Sequence, residues 1–312
     1  MAKLFTRRQL LRGVLAAGAT TIAIGGYAVA EPWRLVVTRY KITPPRWPSG
    51  LTLRCAVIAD LHACDPWMSA ARIRQIVART NALTPDVTLL LGDYVAGDKI
   101  ARLSRDMANE TWAAELGGLK APLGVHAVLG NHDYWQDISV QLKRGGPVPA
   151  AVALEAAGIP VYENRAVRLE KDGQPFWIAG LGDQWAYWPR GATRPGRRFD
   201  RFVGVHDVPL TMSYVTDQAP MILMAHEPDI FPDIPERVAL TISGHTHGGQ
   251  ITIAGFAPIV PSRYGQRYLY GHVVEGGRHL LVSGGLGCSA YPVRFGRPPE
   301  IVVIDLGSPV AT

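Results

Sequence analysis

Cysteine is scarce in this chain. Three residues, Cys55, Cys64 and Cys288, are spread over 312 positions. An odd and low count excludes a disulfide-framed scaffold. Cys64 reads as a small neutral thiol despite acidic and imidazole neighbours in sequence. Charge is low as well: Lys, Arg, Asp and Glu make up 19% of the residues. Acids are missing altogether from residues 1–30, where Lys3, Arg7, Arg8 and Arg12 stand. Setting those four cations aside leaves 28 basic against 26 acidic residues, a net of +2 rather than the +6 of the whole chain. A body so near neutral, with no basic stripe, gives no support to a nucleic-acid partner. Internal repeats and low-complexity tracts are absent, and 47% apolar residues is a globular composition.

The N-terminus carries a weakly apolar run, Gly13 to Ala30, with Gly18, Thr20, Thr21, Gly25 and Gly26 inside it. Adjacent Arg7 and Arg8 precede it, and Ala28 and Ala30 end it before Glu31-Pro32. A basic start, an apolar middle and an A-x-A ending describe an export signal, and the arginine pair gives it the twin-arginine type. Residues 1–30 are therefore expected to be a signal peptide or a retained anchor, since the run borders on the ~20 residues that span a bilayer. The expected location is across the cytoplasmic membrane, in the periplasm or envelope, with the twin-arginine export machinery as a partner and membrane contact through residues 13–30. Residues 31–50, rich in Pro and Arg, read as a linker, residues 51–306 as one domain, and residues 307–312 as a tail.

Within that domain, "LRCAVIAD", "DVTLLLGD" and "GVHAVLGN" are apolar runs closing on a polar residue, the form of buried strands. Between them, the spacing of Ile73, Ile76 and Val77 predicts a helix that Thr84-Pro85 ends, and residues 101–118 read as helical too. The span 136–158 is helical but broken at Gly145-Gly146-Pro147. Such alternation is the pattern of βαβ units. The second half, "FWIAGLGD", "PMILMAHEP", "VALTISGH", "HLLVSGG" and "EIVVIDL", has strands with few long helices. The expected architecture is α/β: two mixed sheets face to face with helices outside, a four-layer αββα sandwich.

Five of these strands end in hydrophilic residues: Asp60 and His62, Gly92-Asp93, Asn131-His132-Asp133, His226, and His245 with His247. Ligands of α/β sheets gather at the carboxyl ends of strands. Two imidazoles one residue apart, framed by Gly244 and Gly248-Gly249, suggest metal ligands on a turn. His126, His206, His272 and His279 stand outside any such block.

In type and order, Asp60-x-His62, Gly92-Asp93, Gly130-Asn131-His132-Asp133, His226 and Gly244-His245-x-His247 resemble the calcineurin-like metallophosphoesterase family, over about residues 51–306. "SGHTHGGQ" and "SGGLGCSAYPVRFGRPPEIVVIDL" are similar to its exported or membrane-associated bacterial branch. The resemblance implies two divalent ions. One is held by Asp60, His62, Asp93 and His247, the other by Asp93, Asn131, His226 and His245, with Asp93 shared. A mixed N/O set suits Mn²⁺, Fe or Zn²⁺ better than Ca²⁺, and the resemblance favours Mn²⁺. It also implies hydrolysis of a phosphodiester, phosphomonoester or pyrophosphate by in-line attack of an activated water, with His132 as general acid. His132 argues against a catalytically dead scaffold, although a non-catalytic metal-bound interaction module is the rival reading.

In one respect the chain departs from the family: relatives with a longer "GDxxD" block place an acid where this chain has Ala96, so that either Asp98 or Asp133 orients His132 or the histidine has no carboxylate partner. The substrate class is a small phosphate ester or a lipid, with lipid-linked UDP-diacylglucosamine-type pyrophosphate as an alternative. Trp135, Trp185, Tyr187 and Trp188 are candidates to flank the cleft.

Overall fold

The computed structural model describes residues 6–192 and 201–307. Lys3 and residues 308–312 of the expected tail lie outside them. In chain order the strands are β1 (Val36–Ile42), β2 (Leu53–Ile58), β3 (Cys64–Asp65), β4 (Val87–Leu90), β5 (Arg105–Asp106), β6 (Val125–Ala127), β7 (Arg165–Lys171), β8 (Gln174–Gly180), β9 (Met221–Met224), β10 (Leu240–Ser243), β11 (Gly271–Glu275), β12 (Arg278–Val282) and β13 (Glu300–Leu306). The helices are α1 (Arg7–Ala30), α2 (Ala70–Asn81), α3 (Asp98–Ala101), α4 (Asn109–Leu116), α5 (Asn131–Trp135), α6 (Ile138–Lys143), α7 (Pro149–Ala156) and α8 (Val208–Ser213).

Two mixed sheets are formed, ordered β1-β13-β2-β4-β6 and β11-β12-β10-β9-β8-β7. Strands β2, β4 and β6 run parallel, as do β8, β9, β10 and β12. Val57, Leu89 and Ile304 of the first sheet share one buried cluster with Ile222, Met224 and Ile242 of the second, so the sheets pack face to face. On the outer face of the first sheet, Ile58 and Leu90 meet Ile73 and Ile76 of α2, Trp112 and Leu116 of α4 and Leu154 of α7. On the outer face of the second, Trp177, Ala179 and Leu223 pack with Ile230 and Ile234 and with Val208 and Met212 of α8. The expected αββα order is present, with a thinner outer layer on the second side.

Helix α2 forms where its periodicity places it: the Ser69 hydroxyl caps it by accepting from the Arg72 N–H, and Ile73, Ile76 and Val77 form the buried face. The break at Gly145–Pro147 separates α6 from α7. Two expectations change. Residues 31–50 are not a plain linker: β1 lies inside them and forms a seven-residue parallel ladder with β13, from Val36 opposite Glu300 to Ile42 opposite Leu306. The Pro and Arg content around it hid a strand that sits at the sheet edge, where such residues are tolerated. In the span 101–118 only α4 is a sustained helix, because Arg105 and Asp106 pair with Cys64 and Asp65 instead.

Candidate metal centre

The parallel strands bring their carboxyl ends to one edge, and every polar block follows one of them: Asp60 and His62 after β2, Asp93 after β4, Asn131 and His132 after β6, His226 after β9, His245 and His247 after β10. The loops are cross-tied, with Asp60 N–H donating to Gly92 O at 3.0 Å and Gly244 N–H to His226 O at 3.0 Å. Asp60, His62, Asp93, His245 and His247 all take positive φ, between 48° and 67°. Non-glycine residues pay for that conformation, and its concentration in five candidate ligands marks a built site. Gly130 is required by close approach: a Cβ there would lie 2.5 Å from Asp93 Oδ1 and 2.7 Å from His226 Cε1.

Donor atoms of Asp60, His62 and His247 lie within 4.8 Å of one another, and so do those of Asp93, His226 and His245. Asp93 Oδ2 stands between the groups, 3.7 Å from His62 Nε2 and 3.2 Å from His226 Nε2. Asn131 is buried at the start of α5. Six of the seven sequence-derived ligand candidates are thus brought to one place, and Asn131 precedes His132, whose N–H donates to Asp93.

Backbone carbonyls set which ring nitrogens face inward. His62 Nδ1 bonds Val95 O at 3.0 Å and His226 Nδ1 bonds Leu91 O at 2.6 Å, so each presents Nε2 to the centre. There His62 Nε2 meets His247 Nε2 at 3.0 Å, and His226 Nε2 meets His245 Nδ1 at 3.2 Å. Asp60 Oδ2 and Asn131 Oδ1 are buried without a hydrogen-bond partner. Ring nitrogens crowded against one another, beside unsatisfied carboxylate and amide oxygens, fit divalent cations in a nitrogen and oxygen donor set.

Burial, reinforced by His132, holds His62 down to about 3. Burial and neighbouring cationic groups likewise keep His245 and His247 well below the ordinary imidazole value, hence neutral. Burial also pushes Asp60 up to about 7, with the Asp93 charge adding to it.

His132 is half-buried, its ring edge-on to His62 at 5.0 Å and to Trp135 at 5.2 Å. Asp133 does not orient it: its carboxylate accepts from Gly130, Asp93, Tyr94 and Val95 N–H groups and so ties two site loops together. Gln136 Nε2 lies 3.3 Å from His132 Nδ1, and the side chain of Asp98, the other candidate, lies outside the described residues.

Several contributors were not assigned from sequence. Arg294 is fully buried and places Nη2 3.3 Å from His247 Nδ1, while its Nη1 donates to Gly284 O at 2.9 Å and to Arg297 O at 3.1 Å. Asp183 and Glu227 lie beside His226; burial raises both carboxyls, with the Glu227 charge adding to it at Asp183 and the Asp93 charge at Glu227, and they hold the Trp185 and Gln184 N–H groups. Trp185 stands edge-on against His245 at 4.5 Å. A buried arginine in a glycine-rich segment and an acid pair split over 44 positions carry no local pattern that announces them.

Fold and donor set together define a metallophosphoesterase. The calcineurin-like phosphoesterase family matches residues 53–249, and the chain belongs to that family. It is accordingly a metal-dependent phosphoester hydrolase. The chain is 31% identical to the uncharacterized metallophosphoesterase YkuE of Bacillus subtilis (strain 168), over 98% of this chain and 99% of that protein. It is 26% identical to phosphodiesterase YaeI of Escherichia coli (strain K12), over 97% of this chain and all 100% of that one. A transmembrane protein with a metallophosphoesterase domain from Danio rerio is 27% identical over 98% of this chain and 67% of its own length. Among solved structures, a dimetal phosphatase from Danio rerio aligns with a TM-score of 0.44 at 14% identity, covering 75% of this chain and 88% of that one.

Proposed function

We propose that the protein is a dinuclear phosphodiesterase of the cell envelope. The carrying observation is the position of Asp93 Oδ2, between His62 and His226 and shared by both donor groups. Asp60, His62, Asp93 and His247 would hold one ion and Asp93, Asn131, His226 and His245 the other, with Mn²⁺ preferred to Fe or Zn²⁺. When bound, such a pair supplies charge stabilisation at phosphorus and a water of lowered pKa.

The chain's own groups do the rest. Asp93 joins the two donor groups through Oδ2, while its Oδ1 holds the His132 backbone. His132, half-exposed beside them, gives a proton to the departing oxygen. Gln136 Nε2 stands 3.3 Å from its Nδ1 and steadies the ring. Trp185 shields His245 from bulk water. A diester is favoured over a monoester or pyrophosphate because YaeI, which aligns along its whole length, is named a phosphodiesterase.

Envelope location rests on α1. It spans Arg7–Ala30, and an 18-residue stretch of the segment Arg7–Trp33 has a mean hydropathy of 1.5 with none of it buried. Arg7, Arg8 and Arg12 stand in the first two turns of α1, a charge bias that favours that end inside and the domain outside. The A-x-A junction is docked on the domain: Glu31 and Pro32 are buried, and Ala28 O accepts from Arg294 N–H at 2.9 Å. A junction folded away from a protease favours α1 as a retained anchor, and twin-arginine cargo is exported already folded.

The test is turnover of bis-(p-nitrophenyl) phosphate by Mn²⁺-loaded full-length protein. It should vanish in Asp93→Asn. Absence of turnover with every divalent metal, alongside two bound ions, would return the protein to the interaction-module reading.

A further inference from the structure

We propose that the loop from Ile251 to Tyr264, with Tyr291 beside it, rests in the surface of the bilayer that holds α1. This rests on reading α1 as a retained anchor. Residues 251–261 contain no charged side chain. Ile253, Phe256 and Ile259 are 65%, 60% and 80% exposed. Their exposure is built rather than incidental. Ile253 and Phe256 exchange both backbone hydrogen bonds, at 2.9 and 3.0 Å, across a tight turn in which Ala254 and Gly255 have φ of 50° and 84°. Thr252 N–H anchors the turn to Phe295 O at 2.7 Å. Scattered apolar residues on a surface need no explanation, but a cluster held outward by a fixed hairpin marks a contact surface.

Continuity with α1 names the occupant. Ile251 pairs with Phe295, and the Phe295 ring meets Tyr27 of α1 edge-on at 5.4 Å. Trp33, half-exposed just past the end of α1, packs on Trp67 at 6.4 Å. Tryptophan and tyrosine at the foot of an apolar helix are the residues of a membrane interface. A lipid surface that receives α1 therefore meets the hairpin too. The patch also adjoins the site. Gln250 follows the His247 turn, donates to Tyr291 O and Val293 O at 3.0 and 2.9 Å and accepts from Ser289 N–H at 3.0 Å. Gly97 lies between the Ser289 carbonyl and the His132 ring. The cleft rim is thus set at the bilayer surface, where the phosphoester of a lipid headgroup is presented.

The experiment uses the full chain in phosphatidylcholine–phosphatidylglycerol vesicles. The three native cysteines are buried, so thiol dyes go to introduced ones. Dyes on Ile253→Cys and Phe256→Cys should shift to the blue and lose about half their emission to headgroup-region quencher lipids, as expected for shallow insertion. A dye on Ile22→Cys should be quenched by deep quenchers, and one on Leu142→Cys by neither. Ile22 quenched with 253 and 256 unquenched overturns the proposal alone. Ile22 unquenched overturns the anchor reading with it. Blue shifts at 253 that appear in detergent, unaffected by quencher lipids, assign the patch to a second copy of the chain instead. Ile253→Glu with Phe256→Glu should leave soluble aryl diester turnover intact and cut turnover of a vesicle-borne phosphoester about tenfold. Equal rates on both substrates count against it.

Discussion

The main-chain N–H of His132 donates to Oδ1 of Asp93 at 2.8 Å, while Oδ2 of the same carboxylate faces His62 and His226. One side chain therefore fixes the backbone of the proposed proton donor and joins the two donor groups. Asp93→Asn separates these duties. The amide oxygen still accepts from His132, but the shared charge is gone and an NH₂ faces imidazole lone pairs. Metal content measured by elemental analysis should fall from two ions to one or none, with folding retained by circular dichroism. Two ions held as tightly as in the parent would refute the sharing role.

His132→Ala should leave metal content unchanged and slow the reaction by about 10²–10⁴-fold, the usual worth of a positioned acid. The loss should be largest with an alkyl leaving group and small with p-nitrophenolate, which departs without a proton. A uniform loss across leaving groups would mean that His132 positions substrate instead. Gln136→Ala should reproduce the leaving-group trend at reduced size.

The legible part of the site was the part written next to strand ends. Asp60, His62, Asp93, Asn131, His226, His245 and His247 each follow an apolar run, and period-two strands in parallel order carry them to one edge. The sheets were legible for the same reason. What the sequence concealed depends on long-range contact. β1 looks like linker because an edge strand tolerates its composition, and it is identified only by β13, 264 positions later in the ladder. Arg294, Asp183 and Glu227 act through tertiary partners, and Gln136 meets His132 from one turn further along the same short helix.

Protonation of the metal-free site gives a pH prediction with a definite sign. Burial works against a charge on His226, but the Asp93 carboxylate and its hydrogen bond outweigh burial and raise His226 well above the ordinary value. A cation must displace that proton. Asp60, at about 7, adds a second proton as pH falls. Metal affinity should therefore weaken toward acid pH. Calorimetric titration of stripped protein in buffers of different ionisation enthalpy should read about one proton released at alkaline pH and about two near pH 6. No release at either pH would contradict the assigned charge on His226.

Trp185 and Trp188 are three residues apart, share a cluster with Phe202, and differ in what they meet. Trp188 is 7% exposed; its N–H donates to Gln141 Oε1 at 2.9 Å and its carbonyl accepts from Arg144. Trp185 presents its ring to His245. The sequence offered both as cleft aromatics, and the geometry divides them. Trp188→Ala should cost about 3–5 kcal/mol of stability, the usual penalty for emptying a buried indole site, with substrate preference unchanged. Trp185→Ala should instead free the His245 imidazole to rotate and speed metal loss to a chelator by about 10–100-fold, as loss of a supporting contact does. Trp185→Phe keeps a ring against the imidazole and should restore most of the retention. If Trp188→Ala accelerated metal loss as much as Trp185→Ala while both stayed folded, the indole contact with His245 would not be what holds that ligand.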